Sequence, residues 1–352
     1  SPYDINVVGP SLREFVKTNL DPRHSVNYTS MERDEPIEPI LELFVIYKKK
    51  YFISLLVMRV LKILSRKKVN REHLTIDTLQ KVISYLRDDK ILTQICYQRL
   101  KTFKDNLLFE EEEGKEQEEI LEMEFNPHDV KQVLQIAEEA SNFLLNVCYT
   151  STNVYHMINI PHAIDLLLNL MHVSALQNAV AGAIQSICYV KRGKAAVRKA
   201  AGIPVLCNVF CVMDKHNQIK GLRIIGALHN LSTDLETAAE MRDQEKFVPA
   251  LLQSLNALVD MEEVHVDYLA SVAGCVQNMS RDDQARAMIK ESNAVGSLIQ
   301  LLVRPHAFTQ KCAAGALLNI LGPDTEPART HFKQLLANCI ASGQIQDALS
   351  FV

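Results

Sequence analysis

The residues best placed to do chemistry are asparagines. Asn146, Asn230, Asn278 and Asn319 each sit inside an apolar run, and Ser186 holds the same place in a fifth. A carboxamide both donates and accepts, so it pairs with a peptide group whatever side chains that peptide carries. Repeated at one position, such amides could grip the backbone of an extended segment. They could equally bond a neighbouring repeat and hold a stack together, and the residue types leave both readings open. A second candidate is the dense positive cluster Lys191, Arg192, Lys194 and Arg198, followed by Lys199. It could take phosphate or an acidic peptide, or it could form a polar turn between helices. Cys207 and Cys211 stand one helical turn apart with His216 close by. Zinc needs four ligands, and two thiols at i, i+4 without a second pair are an incomplete set. There is no glycine-rich phosphate loop, nucleophile elbow or paired-carboxylate signature. The reading is therefore non-enzymatic, with no cofactor and no metal.

The elements that must position the asparagines recur. One frame is Gly226-Ala227-Leu228-His229-Asn230-Leu231-Ser232, and others are Gly274-Cys275-Val276-Gln277-Asn278-Met279 and Gly315-Ala316-Leu317-Leu318-Asn319-Ile320. Upstream stand Asn142-Phe143-Leu144-Leu145-Asn146-Val147 and Gly182-Ala183-Ile184-Gln185-Ser186-Ile187. The frame position falls at 146, 186, 230, 278 and 319, in steps of 40, 44, 48 and 41 residues. A period of this size signals a solenoid. On a helix, positions −7, −4, 0 and +3 from the asparagine share one face. They hold Glu139, Ala179, Arg223, Ser271 and Cys312 at −7, and Tyr149, Tyr189, Thr233, Arg281 and Gly322 at +3. Position −4 holds Asn142 and then glycine four times, which either bares the floor of a groove or allows close helix packing. The candidate residues on this face are Asn142, Asn146, Tyr149, Tyr189, Arg223, Asn230, Ser271, Asn278, Arg281 and Asn319.

This frame resembles the third helix of armadillo repeats. Lys199-Ala200-Ala201-Gly202-Ile203-Pro204 looks like the family's Gly-Ile-Pro start to its second helix, with weaker forms at Ile160-Pro161-His162-Ala163, Phe247-Val248-Pro249 and Asn293-Ala294-Val295-Gly296. The resemblance covers roughly residues 127–350. It implies an all-α, right-handed armadillo solenoid, a superhelix of three-helix repeats, whose concave groove binds an extended peptide through the asparagine ladder. Import receptors of the family place Trp four residues before the asparagine. Here those positions are Asn142 and four glycines, and the chain has no Trp. Classical nuclear-localisation peptides are accordingly not expected as partners.

The 352 residues are 47% hydrophobic and 6% aromatic, a balance suited to helices packed on helices, and the formal charge of −4 carries no global nucleic-acid signature. Eight cysteines without a Cys-x-x-Cys pair point to a reducing compartment, cytoplasmic with the nucleus as the alternative. The chain opens Ser1-Pro2-Tyr3 without Met, and a longer N-terminus is expected. Five segments follow: an irregular start (1–36), an N-terminal helical region with degenerate repeats (37–109), an acidic mobile linker (110–125), five armadillo repeats (126–327) and capping helices (328–352). The apolar run Phe52–Leu64 is too short to span a bilayer and reads as a buried helix. The basic segment 48–68 reads as a solvated face, or as a patch for anionic lipid or nucleic acid. The functional expectation is a protein–protein interaction scaffold or adaptor. One alternative is a co-chaperone or assembly factor in which these repeats are part of a larger protein. Another is a membrane- or nucleic-acid-associated adaptor using segment 48–68.

Overall fold

The structure, a computed structural model, describes residues 4–21, 37–108, 125–213, 217–323 and 325–343. The expectations for the rest of the irregular start, for the acidic stretch 110–124, for His216 and for the last nine residues lie outside them. Helices account for the regular structure, with no strand among the described residues. The chain divides into two compact units, Ser1–Ile187 and Cys188–Val352.

Unit 1 holds α1 (Ile5–Asn19), α2 (Ile37–Ile46), α3 (Tyr51–Leu64), α4 (Lys68–Glu72), α5 (Ile76–Asp88), α6 (Lys90–Leu108), α7 (Pro127–Val147), α8 (Ser151–Asn159), α9 (Ala163–Leu170) and α10 (Ser174–Ile187). The third-helix frames lie on α7 and α10, and α3 packs on α7 as α7 packs on α10. α3 buries Ile53, Leu55 through Met58, Val60, Leu61, Ile63 and Leu64, so it is a core helix. No single helix among the described residues is long and apolar enough to cross a membrane. Asn126 caps α7, its Oδ1 accepting from the His128 N–H at 2.9 Å, with Pro127 in the first turn where its missing N–H costs nothing.

Several cations of segment 48–68 serve this packing. Glu139 on α7 meets both Arg59, at 3.1 Å, and Lys62. Arg66 donates to the Leu20 carbonyl at 3.0 Å, at the end of α1. Arg71, just beyond the segment, donates to the Ser65 and Arg66 carbonyls, both at 2.8 Å, at the end of α3. Helix C-termini carry unpaired carbonyls and the negative end of the macrodipole, which is why cations collect there. Lys48, Lys49 and Lys50 remain exposed.

Unit 2 holds α11 (Lys191–Lys199), α12 (Gly202–Val212), α13 (Gln218–Ser232), α14 (Leu235–Arg242), α15 (Phe247–Asp260), α16 (Val266–Met279), α17 (Asp283–Glu291), α18 (Ala294–Leu302), α19 (Ala307–Leu321) and α20 (Glu326–Ser342). It repeats a short polar helix, an apolar one and a long one. α12, α15 and α18 pack in series, as do α13, α16 and α19. The turn from the short helix to the apolar one is tight. Ala201, the residue before α12, takes a left-handed conformation at φ 53, and His162 does so before α9 in unit 1 at φ 60. Asp234 caps α14 and Asp282 caps α17. In unit 2, Cys188, Cys207, Cys275, Cys312 and Cys339 are buried, as Cys148 is in unit 1, and each acts there as a small apolar side chain.

Candidate functional site: the third-helix face

The asparagines have a repeating geometry. Asn278 on α16 donates from Nδ2 to the Ser232 hydroxyl at 3.0 Å and the His229 carbonyl at 3.4 Å, both on α13. Asn319 on α19 donates to the Ser280 hydroxyl at 3.0 Å and the Gln277 carbonyl at 3.4 Å. In unit 1, Asn146 donates to the Ser65 hydroxyl at 3.0 Å and the Lys62 carbonyl at 3.3 Å. Each accepting serine stands at the end of the preceding long helix and turns its own proton onto that same carbonyl. Ser65 donates to Lys62, Ser232 to His229 and Ser280 to Gln277, at 2.8, 2.8 and 2.7 Å. The amide nitrogen thus bonds the neighbouring repeat, one of the two readings left open by the sequence. Oδ1 of Asn146, Asn278 and Asn319 has no protein partner among the described residues.

Two features escape the frame. The first is α3, which takes the place of a third helix with Ile63 where an asparagine would stand. Its Lys62 carbonyl and Ser65 hydroxyl nevertheless receive Asn146 as Gln277 and Ser280 receive Asn319. The second is the serine two residues past the frame position, absent from the candidate set. Its signal was in the sequence: Ser232 precedes Asn278 by one repeat and Ser280 precedes Asn319, whereas Cys148 precedes Ser186. Ser186 accordingly turns onto the Gly182 carbonyl of its own helix, at 3.1 Å.

Two of the glycines at −4, Gly274 and Gly315, make room for the previous helix. A Cβ on Gly274 would lie 2.5 Å from the His229 ring, and one on Gly315 would run into the Gln277 side chain. The floor is therefore not bare at these two positions: His229, just before Asn230, lies across Gly274, and Gln277, just before Asn278, lies across Gly315. His229 reaches furthest, its ring 6.1 Å from that of Phe308 at an angle of 56°. Burial lowers the His229 pKa below its ordinary value, and Lys194 adds to this. Phe308 is 47% exposed. It lies at −11 from Asn319, one turn beyond the positions read from the sequence.

Arg281 is exposed and donates to the Thr233 carbonyl at 3.3 Å. Lys194 donates to the hydroxyl of the same Thr233. Arg223 and Asn230 on α13 and Ser271 on α16 are half-buried. Tyr189 is 81% exposed near the start of unit 2. In unit 1, Asn142 donates to the Glu138 carbonyl of its own helix at 2.9 Å, and Tyr149 is half exposed.

No protein-family model matches the sequence, and no curated protein matches it. Solved structures do share its fold. Two engineered proteins superpose with TM-score 0.53 at 16% identity, one over 81% of this chain and 96% of its own, the other over 82% and 99%. A computationally designed armadillo repeat protein for modular peptide recognition superposes with TM-score 0.52 at 12% identity, over 80% of this chain and 99% of its own. The fold is that of armadillo repeats.

In armadillo terms α11, α14 and α17 are first helices, and α11 carries the cations singled out in the sequence. Arg198 pairs with Glu240 at 2.6 Å and with Glu236, both on α14. Arg242 on α14 pairs with Asp282 at the head of α17, at 2.7 Å. Of the proposed anion patch, Arg198 is thereby neutralised and Lys194 is turned to Thr233, while Lys191 and Arg192 are exposed. Cys207 and Cys211 belong to the second helix α12. Burial pushes the Cys207 thiol well above its ordinary pKa, with Cys211 and Cys275 adding to it, which suits an inert core position.

Proposed function

We propose that the chain is a non-catalytic scaffold that holds an extended segment of a partner protein on the third-helix face. The observation that carries this reading is the face of unit 2. There Phe308 and Arg281 stand exposed, and the amide oxygens of Asn278 and Asn319 have no protein partner among the described residues. A peptide N–H can pair with such an oxygen regardless of sequence. The likeness to a designed armadillo protein for peptide recognition supports the same use of the fold. The thiols, six of them buried, suit work in a reducing compartment such as the cytoplasm.

The test starts from peptides selected on the full chain from a random displayed library. Each is titrated against wild type and against Arg281→Glu. The expected result is a loss of about tenfold or more, the scale of a truncated interface anchor. Unchanged affinity for every selected peptide would move binding to another face.

A further inference from the structure

The third-helix face of unit 2 offers two different chemistries side by side. Toward the head of α19 lies an aromatic notch, with Phe308 exposed, the His229 ring 6.1 Å away and Gly274 beneath it. The His229 ring can lie there because residue 274 has no side chain. One turn on from His229, Arg281 and Lys194 converge on one residue, Thr233, through its carbonyl and its hydroxyl. By sequence, α13, α16 and α19 together carry one acidic residue, Asp267, against Lys220, Arg223 and Lys311; Arg281 follows α16 directly, and the acid after it, Asp282, is already paired with Arg242.

An extended strand crossing the three helices would point alternate side chains to opposite sides. One row would face the aromatic notch and the other the cations at the helix ends. Neighbouring helix axes lie about 8–10 Å apart and a strand rises about 3.3 Å per residue, so roughly six residues cover three helices. We infer that this face selects an extended segment in which an aromatic side chain adjoins an acidic one, the ring stacking on Phe308 and His229 and the carboxylate meeting Arg281 and Lys194. This rests on the scaffold reading above and adds the chemistry of the partner.

The probes are three short synthetic peptides that alternate Phe with Glu, Phe with Lys, and Ala with Glu, titrated on the full chain by fluorescence anisotropy. The Phe/Glu peptide is expected to bind tightest. Phe308→Ala should weaken it about tenfold, as should Arg281→Glu, each with an unchanged thermal melt because both side chains are exposed. Raising salt should weaken Phe/Glu binding in the wild type and less in Arg281→Glu. Equal binding of the Phe/Lys peptide, or full affinity in Phe308→Ala, overturns the inference. If library-selected peptides bind and respond to Arg281→Glu but the Phe/Glu peptide does not bind, the selectivity fails and the scaffold reading stands. If no peptide binds or responds, both fail.

Discussion

At the scale of single residues, the asparagine ladder binds the chain to itself before it can bind anything else. The amide nitrogens of Asn146, Asn278 and Asn319 each bridge to a serine that is already bonded to its own helix, so the two residues form one unit. Asn278→Ala should cost about 1 kcal/mol, the net worth of a typical hydrogen bond. Ser232→Ala should cost a similar amount, and the double mutant should lose less than the sum, as measured by urea denaturation. Strict additivity would mean that the amide does not bond Ser232. His229 makes a second residue-scale prediction. Its pKa in the fold lies below the ordinary 6.5, first through burial and then through Lys194. The unfolded chain therefore takes up the proton at higher pH than the folded one. The stability due to neutral His229 is complete above about pH 6.5 and declines as pH falls through that value toward the folded pKa. His229→Gln should flatten this part of the stability–pH curve, and an identical slope in the variant would contradict it.

At the scale of elements, the long helices were legible because their frame combines apolar spacing with one polar position and a fixed period. The second helices announced themselves through Gly202-Ile203-Pro204 and its weaker copies. α3 was read as a buried helix but not as a third helix, since Ile63 replaces the asparagine and only the packing reveals its rank. The cations around it read as a solvated face or as a ligand patch, because sequence gives charge without the partner. Glu139, which takes up two of them, lies 80 positions from Arg59. The serine bridge explains why one rung is missing, and it can be rebuilt. Cys148→Ser with Ser186→Asn should restore the bond between α7 and α10. The pair should be about 1 kcal/mol more stable than its single variants sum to, read by the same denaturation. A second element-scale prediction concerns Ala201, exposed and held at φ 53. A left-handed conformation costs an L-residue about 1–2 kcal/mol, part of which glycine returns through its more flexible unfolded state. Ala201→Gly should therefore stabilise the chain by up to about 1 kcal/mol in thermal or urea melts. A fall in stability would contradict the strain.

At the scale of the whole molecule, the fold is general and its use is particular. Armadillo packing accounts for the apolar interior, the low aromatic content and the glycines, each of which serves one helix lying on the next. The third-helix face of unit 2 carries what this packing does not use: an exposed aromatic, two cations on one threonine and two amide oxygens with no protein partner among the described residues. The first-helix surface looks as rich in charge from the sequence, but Arg198 and Arg242 are neutralised there by acids of the neighbouring repeat. Hydrogen exchange compares the two surfaces directly. The full chain is exchanged with and without a saturating library-selected peptide, and protection is mapped along the sequence. The account predicts added protection in residues 218–232, 266–281 and 307–321, with α11, α14 and α17 unchanged. Protection confined to α11, α14 and α17, or to unit 1, would contradict it.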